Sequence, residues 1–180
     1  MPRRELFMKR YIILLRGINV SGKNKIPMAD LRALLGTLDF SNVKTYIQSG
    51  NIILDSDLDQ NTICQKIKAG IASRFGFEVP VVIRTIDAWE KAFKNYPFSL
   101  ENEKINAFTF LDQVVESISF EVKGIKEDVY LIDEDVIYLQ CPSTFADTKL
   151  TNNLFEKKLN VTATSRNYRT TMKLLDLAKA

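Results

Sequence analysis

The stretch GINVSGKN, residues 17–24, follows the apolar run YIILL and has the spacing Gly-x-x-x-x-Gly-Lys. That spacing cradles the phosphates of a nucleoside triphosphate when Ser or Thr comes next, because the hydroxyl ligates magnesium. Asn24 stands in that place. The helix should also start at the Gly-Lys pair, so that its free amides face the phosphates. Pro27 instead marks a start several residues later. NIILD, ending at Asp55, imitates the second element of such a site. It reads as one arm of a hairpin, whereas a triphosphate-binding sheet is built from parallel strands. The sequence therefore predicts no magnesium-dependent hydrolysis of ATP or GTP.

Two more stretches carry polar groups in useful patterns. In TSRNYRTTMK (164–173), Arg166, Arg169 and Lys173 fall at helical spacing, with Tyr168, Met172 and Leu175 on the opposing, core-facing stripe. Thr164 or Ser165 would cap that helix. Arginines in a first turn oppose the helix dipole unless an anion lies between them and the free amides. The alternative is that they extend into water. QSGN (48–51) offers small polar groups at a hairpin tip, or simply a turn. Together these blocks predict one anion-binding surface made of Arg16, Asn19, Lys23, Ser49, Asn51, Arg166 and Arg169, with Gly50 at the turn. The arginines would grip the anion through two parallel hydrogen bonds, and Asn19 and Asn51 would orient it.

Composition narrows the chemistry. Histidine is absent, which removes Ser-His-Asp and Cys-His nucleophiles and most zinc sites. The two cysteines lie far apart, so a reducing compartment fits better than a disulfide. Cys64 reads as a core thiol, and Cys141, with no histidine to activate it, as no nucleophile. No metal or cofactor is implied. Net charge is +3, but residues 8–25 carry +5 and no acid, while residues 112–135 carry −6. These are either two solvated faces or a basic site for an anion. Asp133, Glu134 and Asp135 read as an exposed acidic turn.

The elements that must position these residues follow from periodicity. Residues 10–18 read as a buried strand and Pro27 as the opening of a helix with Met28, Leu31, Leu35 and Leu38 on one face. Segments 43–49 and 51–56 form an antiparallel hairpin around Gly50-Asn51. Asp57 can cap a helix with Ile63, Ile67, Ile71 and Phe75 aligned. Segment 78–85 is a strand whose early Pro80 favours an edge or a strand start, and 86–93 a short helix. The order β-α-β-β-α-β predicts a ferredoxin-like first half of an α/β (α+β) protein. Residues 95–104 connect it to a second, partial ferredoxin-like half. There 105–111 is a strand, the acidic stretch after it a helix, and 129–140 a hairpin through Glu134-Asp135. Helices follow at 148–159 and from about Asn167; for a closing strand only 160–164 is available, a weak candidate. The expected division is 1–97 and 98–180.

No apolar run reaches the roughly 18 residues of a membrane span. The basic-then-apolar N-terminus lacks a small-residue cleavage site, so no signal peptide is expected, and Met8 could be the natural start. The blocks LLRGINVSGKNKIPMADLRALL, TYIQSGNIIL and TATSRNYRTTMKLL, in that order, resemble the bacterial domain-of-unknown-function family 1697. The resemblance implies a cytoplasmic α/β protein with ferredoxin-like parts and no established activity. It also implies a glycine and then a serine, before a lysine, in the loop after LQCP. Here Pro142-Ser143-Thr144 and Asp147-Thr148-Lys149 stand instead. An RNA reader that stacks bases on its central strands is disfavoured, because YIILLRG and NIILDS offer only Tyr11. The expected function is a binding module for a phosphate-bearing or other anionic ligand, nucleic acid or nucleotide-like. The alternatives are a small-molecule enzyme using Arg, Lys and Asn, or a protein–protein interaction module.

Overall fold

The computed structural model describes residues 7–180, so the expectations for the extreme N-terminus lie, apart from Phe7, outside the described residues. The chain forms two units. One runs to Trp89 and takes in Leu177–Ala180; the other is Glu90–Asp176. Each contains a four-stranded antiparallel sheet.

In the first unit, β1 (Lys9–Leu15) lies between β3 (Asn51–Ser56) and β4 (Val81–Thr85), and β2 (Ser41–Tyr46) flanks β3, giving the order β2-β3-β1-β4. Alternation sorts the side chains: Tyr11, Ile13 and Leu15 join Ile52, Leu54, Val81 and Ile83 in one core. Two helices, α1 (Met28–Thr37) and α2 (Gln60–Phe75), close that core with Leu31, Leu35, Ile63, Ile67 and Ile71. Pro27 occupies the cap position of α1. The cap of α2 is Asp59, not Asp57: its carboxylate accepts from both Thr62 N and Thr62 Oγ1. β4 is an edge strand that begins just after Pro80. The second hairpin arm has the expected bounds, while the first starts two residues earlier and ends three residues earlier than the sequence suggests. β2 stops at Tyr46, residues 47–50 turn, and Asn51 pairs with Tyr46.

α3 (Ile86–Lys94) follows β4 with no intervening residue. In the second unit β5 (Asn106–Leu111), β6 (Val129–Asp133), β7 (Val136–Gln140) and β8 (Ala163–Asn167) take the order β6-β7-β5-β8, with α4 (Asn152–Leu159) before β8 and α5 (Tyr168–Lys179) directly after it.

Two expectations fail here. The acidic stretch after β5 is not a helix. The stretch is rich in β-branched residues (Val114, Val115, Ile118, Val122 and Ile125), which lose side-chain freedom in a helix, and Val115, Phe120, Val122 and Ile125 pack on the second core outside any helix or strand. The Tyr130 hydroxyl satisfies both backbone groups of Phe120. The closing strand exists and includes Arg166, which therefore lies on a strand and not on a helical stripe. Thr164 and Ser165 are strand residues too, and Asn167 caps the turn into α5 by accepting from Thr170 N. On α5 Met172 is exposed, whereas Thr171, Leu174 and Ala178 are buried.

Candidate functional site

GINVSGKN folds as a finger. Lys23 N donates to Val20 O, Asn19 N donates to Asn24 O, and Val20 pairs with Lys23. The two residues between, Ser21 and Gly22, have φ of 50° and 72°. Positive φ at both positions is what a two-residue hairpin turn requires. The backbone is thereby turned into a ribbon, and α1 begins well beyond it, so the loop is no phosphate cradle. Asn19 pins the base of the finger: its Nδ2 donates to Ile26 O (3.0 Å) and Gln48 O (2.8 Å), and its Oδ1 accepts from Ile26 N. Asn24 Nδ2 donates to Gly17 O. Lys23 and Lys25 are exposed, and Arg16 is half-buried with its backbone N–H on Pro80 O.

The turn at 47–50 is similarly occupied with itself. Asn51 is fully buried, and its Nδ2 donates to Tyr46 O and Ser49 Oγ. Gly50 has φ 83°, and its carbonyl accepts from Leu15 N. Asn51 thus bonds within its own turn, while Asn19 ties the base of the finger to that turn through Gln48 O.

Arg166 and Arg169 belong to the second unit, and the other five expected residues to the first. Arg169 is exposed, 3.9 Å from Glu103. Arg166 is only 9% exposed; its Nη1 donates to Thr164 Oγ1 and Ser165 O. It lines a cleft of about 370 Å³ together with Phe145, Thr148, Thr151, Asn152, Ser165 and Asn167, over a floor that includes Ala107 and Leu139. Thr151 caps α4, its Oγ1 accepting from Leu154 N, so the positive end of that helix lies at the cleft. Ser165 Oγ is hydrogen-bonded to Thr109 Oγ1 and donates to Asn152 Oδ1, which fixes the polar wall.

The other wall is the loop 141–151. Asp128 holds it by accepting from Ser143 N and Ser143 Oγ. Burial pushes the Asp128 carboxyl up, but hydrogen bonds from Ser143 and Thr148 outweigh it and hold the group below the usual carboxylate range. Thr144 sits at φ 90°, in the loop where the resemblance implied a glycine. Of the residues that line this cleft, the sequence singles out Arg166 alone as a site candidate. Only Thr151, followed by the helix-like NNLFEKKL, left a readable signal as a cap.

Cys141 is buried, its thiol pushed up to about 11 chiefly by burial. The central strands of the first sheet carry only Tyr11 as an aromatic residue, whereas those of the second carry Phe108 and Phe110 on β5 and Tyr138 on β7. They are buried, Phe108 against Phe93, Tyr96 and Tyr168, and so present no surface for stacking bases. Among the described residues no group of three or more Cys, Asp or Glu is placed to hold a metal ion, and no helix is long and apolar enough to cross a membrane.

The family described as "Protein of unknown function (DUF1697)" matches residues 8–138. The conserved bacterial protein SP0830 from Streptococcus pneumoniae has a similar solved structure, with a TM-score of 0.75 and 26% sequence identity over 96% of this chain and 99% of that one. No curated protein matches.

Proposed function

The chain belongs to the DUF1697 family of proteins of unknown function, and from that premise we propose that it is a binding module for a small phosphate-bearing or other anionic ligand held by Arg166. We read the first unit as ferredoxin-like and the second as a partial copy without the helix after its first strand; the antiparallel strand order with the first strand central supports this. Such a scaffold places the reading residues on strand ends and the loops beyond them. We read the compartment as cytoplasmic, with two unpaired thiols as support.

The observation that carries the reading is the placement of Arg166. A nearly buried guanidinium lines a cleft that also receives the start of α4 and hydroxyls from Thr148, Thr151 and Ser165. The guanidinium, the helix start and the Thr151 hydroxyl favour an anion, and the volume suits a small molecule.

Isothermal titration with inorganic phosphate, AMP and a short single-stranded RNA tests it. Arg166→Ala should weaken the preferred titrant by about tenfold or more, since a hydrogen bond to a charged group contributes roughly 1.5–3 kcal/mol. Arg166→Lys keeps the charge but not the planar fork and should fall between. Unchanged affinity in a folded Arg166→Ala protein would remove the reading.

A further inference from the structure

We propose that the first unit holds a separate pocket for an organic anion with an apolar body, between the finger and the start of α1. A cavity of about 520 Å³ is lined there by Asn19, Gly22, Lys25, Ile26, Pro27 and Gln48. That volume lies in the range of small-molecule sites, which are mostly apolar with a few placed polar groups.

The polar groups sort themselves. The Asn19 carboxamide spends both N–H groups and its oxygen on Ile26 and Gln48. It holds the walls and has little left for a ligand. Pro27 and Gly22 supply surface without charge, over Ile26, which is buried in the core beneath. Lys25 is the only charged residue of the lining, and its ammonium makes no hydrogen bond or ion pair among the described residues. An occupant therefore needs one negative group for Lys25 and an apolar remainder for the walls.

The neighbourhood has the same character. Val20 on the finger is 59% exposed, and Ile47, next to Gln48, is 49% exposed. Ile47 is moreover held at φ 51°, a conformation that is an outlier for a β-branched residue and that accumulates at ligand sites. The walls are fixed by hydrogen bonds before any ligand arrives, which lowers the ordering cost of binding.

The test uses the full chain and two fluorescent probes of similar shape: 8-anilinonaphthalene-1-sulfonate, an anion, and the neutral N-phenyl-1-naphthylamine. The wild type should bind the anion about fivefold more tightly, the factor expected of one exposed ion pair near the upper end of its range. Lys25→Met should abolish that preference while retaining the neutral probe, and Lys25→Glu should reverse it. Amide shifts on adding the anion should move at Gly22, Lys25 and Gln48, and should persist in Arg166→Ala. Equal binding of both probes by the wild type, or shifts confined to residues 141–167, would overturn the proposal.

Discussion

Asp55 shows how one residue holds the first sheet. Arg10 Nε donates to its Oδ1 at 2.7 Å and Arg10 Nη2 to its Oδ2 at 3.0 Å, while Asn42 Nδ2 donates to Oδ2 at 2.7 Å. The hydrogen bonds from Arg10, against some cost of burial, keep its carboxyl below the ordinary range. A depressed folded pKa gives stability that is present above the unfolded value, near 4, and lost as pH falls through the folded value. Asp55→Asn should therefore cost about 1–2 kcal/mol in urea unfolding at pH 7, because it leaves the partly exposed Arg10 with a weakened hydrogen-bond partner. The gap to the wild type should shrink as pH drops below about 4. A gap that stays constant to pH 2 would contradict the assignment. Both residues were visible in the sequence, but their pairing was not. Forty-five positions separate them, and only the register that sets Arg10 opposite Asp55 brings them together.

At the scale of elements, two turns with positive φ make opposite predictions. A Cβ on Gly50 would lie 2.6 Å from Leu15 Cβ and 2.9 Å from Ile18 Cδ1, at φ +83°. Gly50→Ala combines a left-handed penalty with overpacking and should destabilise by about 2–4 kcal/mol. Thr144, a β-branched residue at φ 90°, already bears such strain. Thr144→Gly should raise the melting temperature, by relief of about 1 kcal/mol, even though it loses the bond to Asp147. A fall would mean that the Asp147 bond and chain entropy dominate. The hairpin at 41–56 and the helices at 28–37 and 60–75 were legible, because their apolar spacing is regular and turn residues bound them. β8 was not. Its Thr-Ser-Arg-Asn end carries no apolar alternation, and strand passes to helix without a break, so Arg166 was assigned to the wrong element. The stretch after β5 misled because Val115, Ile118, Val122 and Ile125 fall at helical spacing, while the β-branched residues that fill it disfavour a helix.

For the whole molecule, the two units repeat one plan. Arg84 on β4 faces Ile12 as Arg166 on β8 faces Phe108, and each Nη1 donates to the carbonyl of the residue before it. Thr85 and Asn167 each accept from the amide three residues on. What differs is the connection into the following helix: residues 57–59 in the first unit, 141–151 in the second. The longer loop supplies a wall of the cleft, so the repeat explains why an equivalent arginine lines a cavity in the second unit. The sequence suggested that the second half starts like the first, yet the cleft stayed hidden because its residues are scattered over 107–167. It also suggested a single anion surface shared by Arg16, Asn51 and Arg166, and the same measurement addresses both ideas. Crystals grown without other oxyanions and soaked in selenate should show an anomalous peak within hydrogen-bonding distance of the Arg166 guanidinium, near the start of α4. The peak should be absent in Arg166→Ala. A selenate peak only at Lys23, Arg169 or other exposed cations, with none at Arg166, would contradict the account.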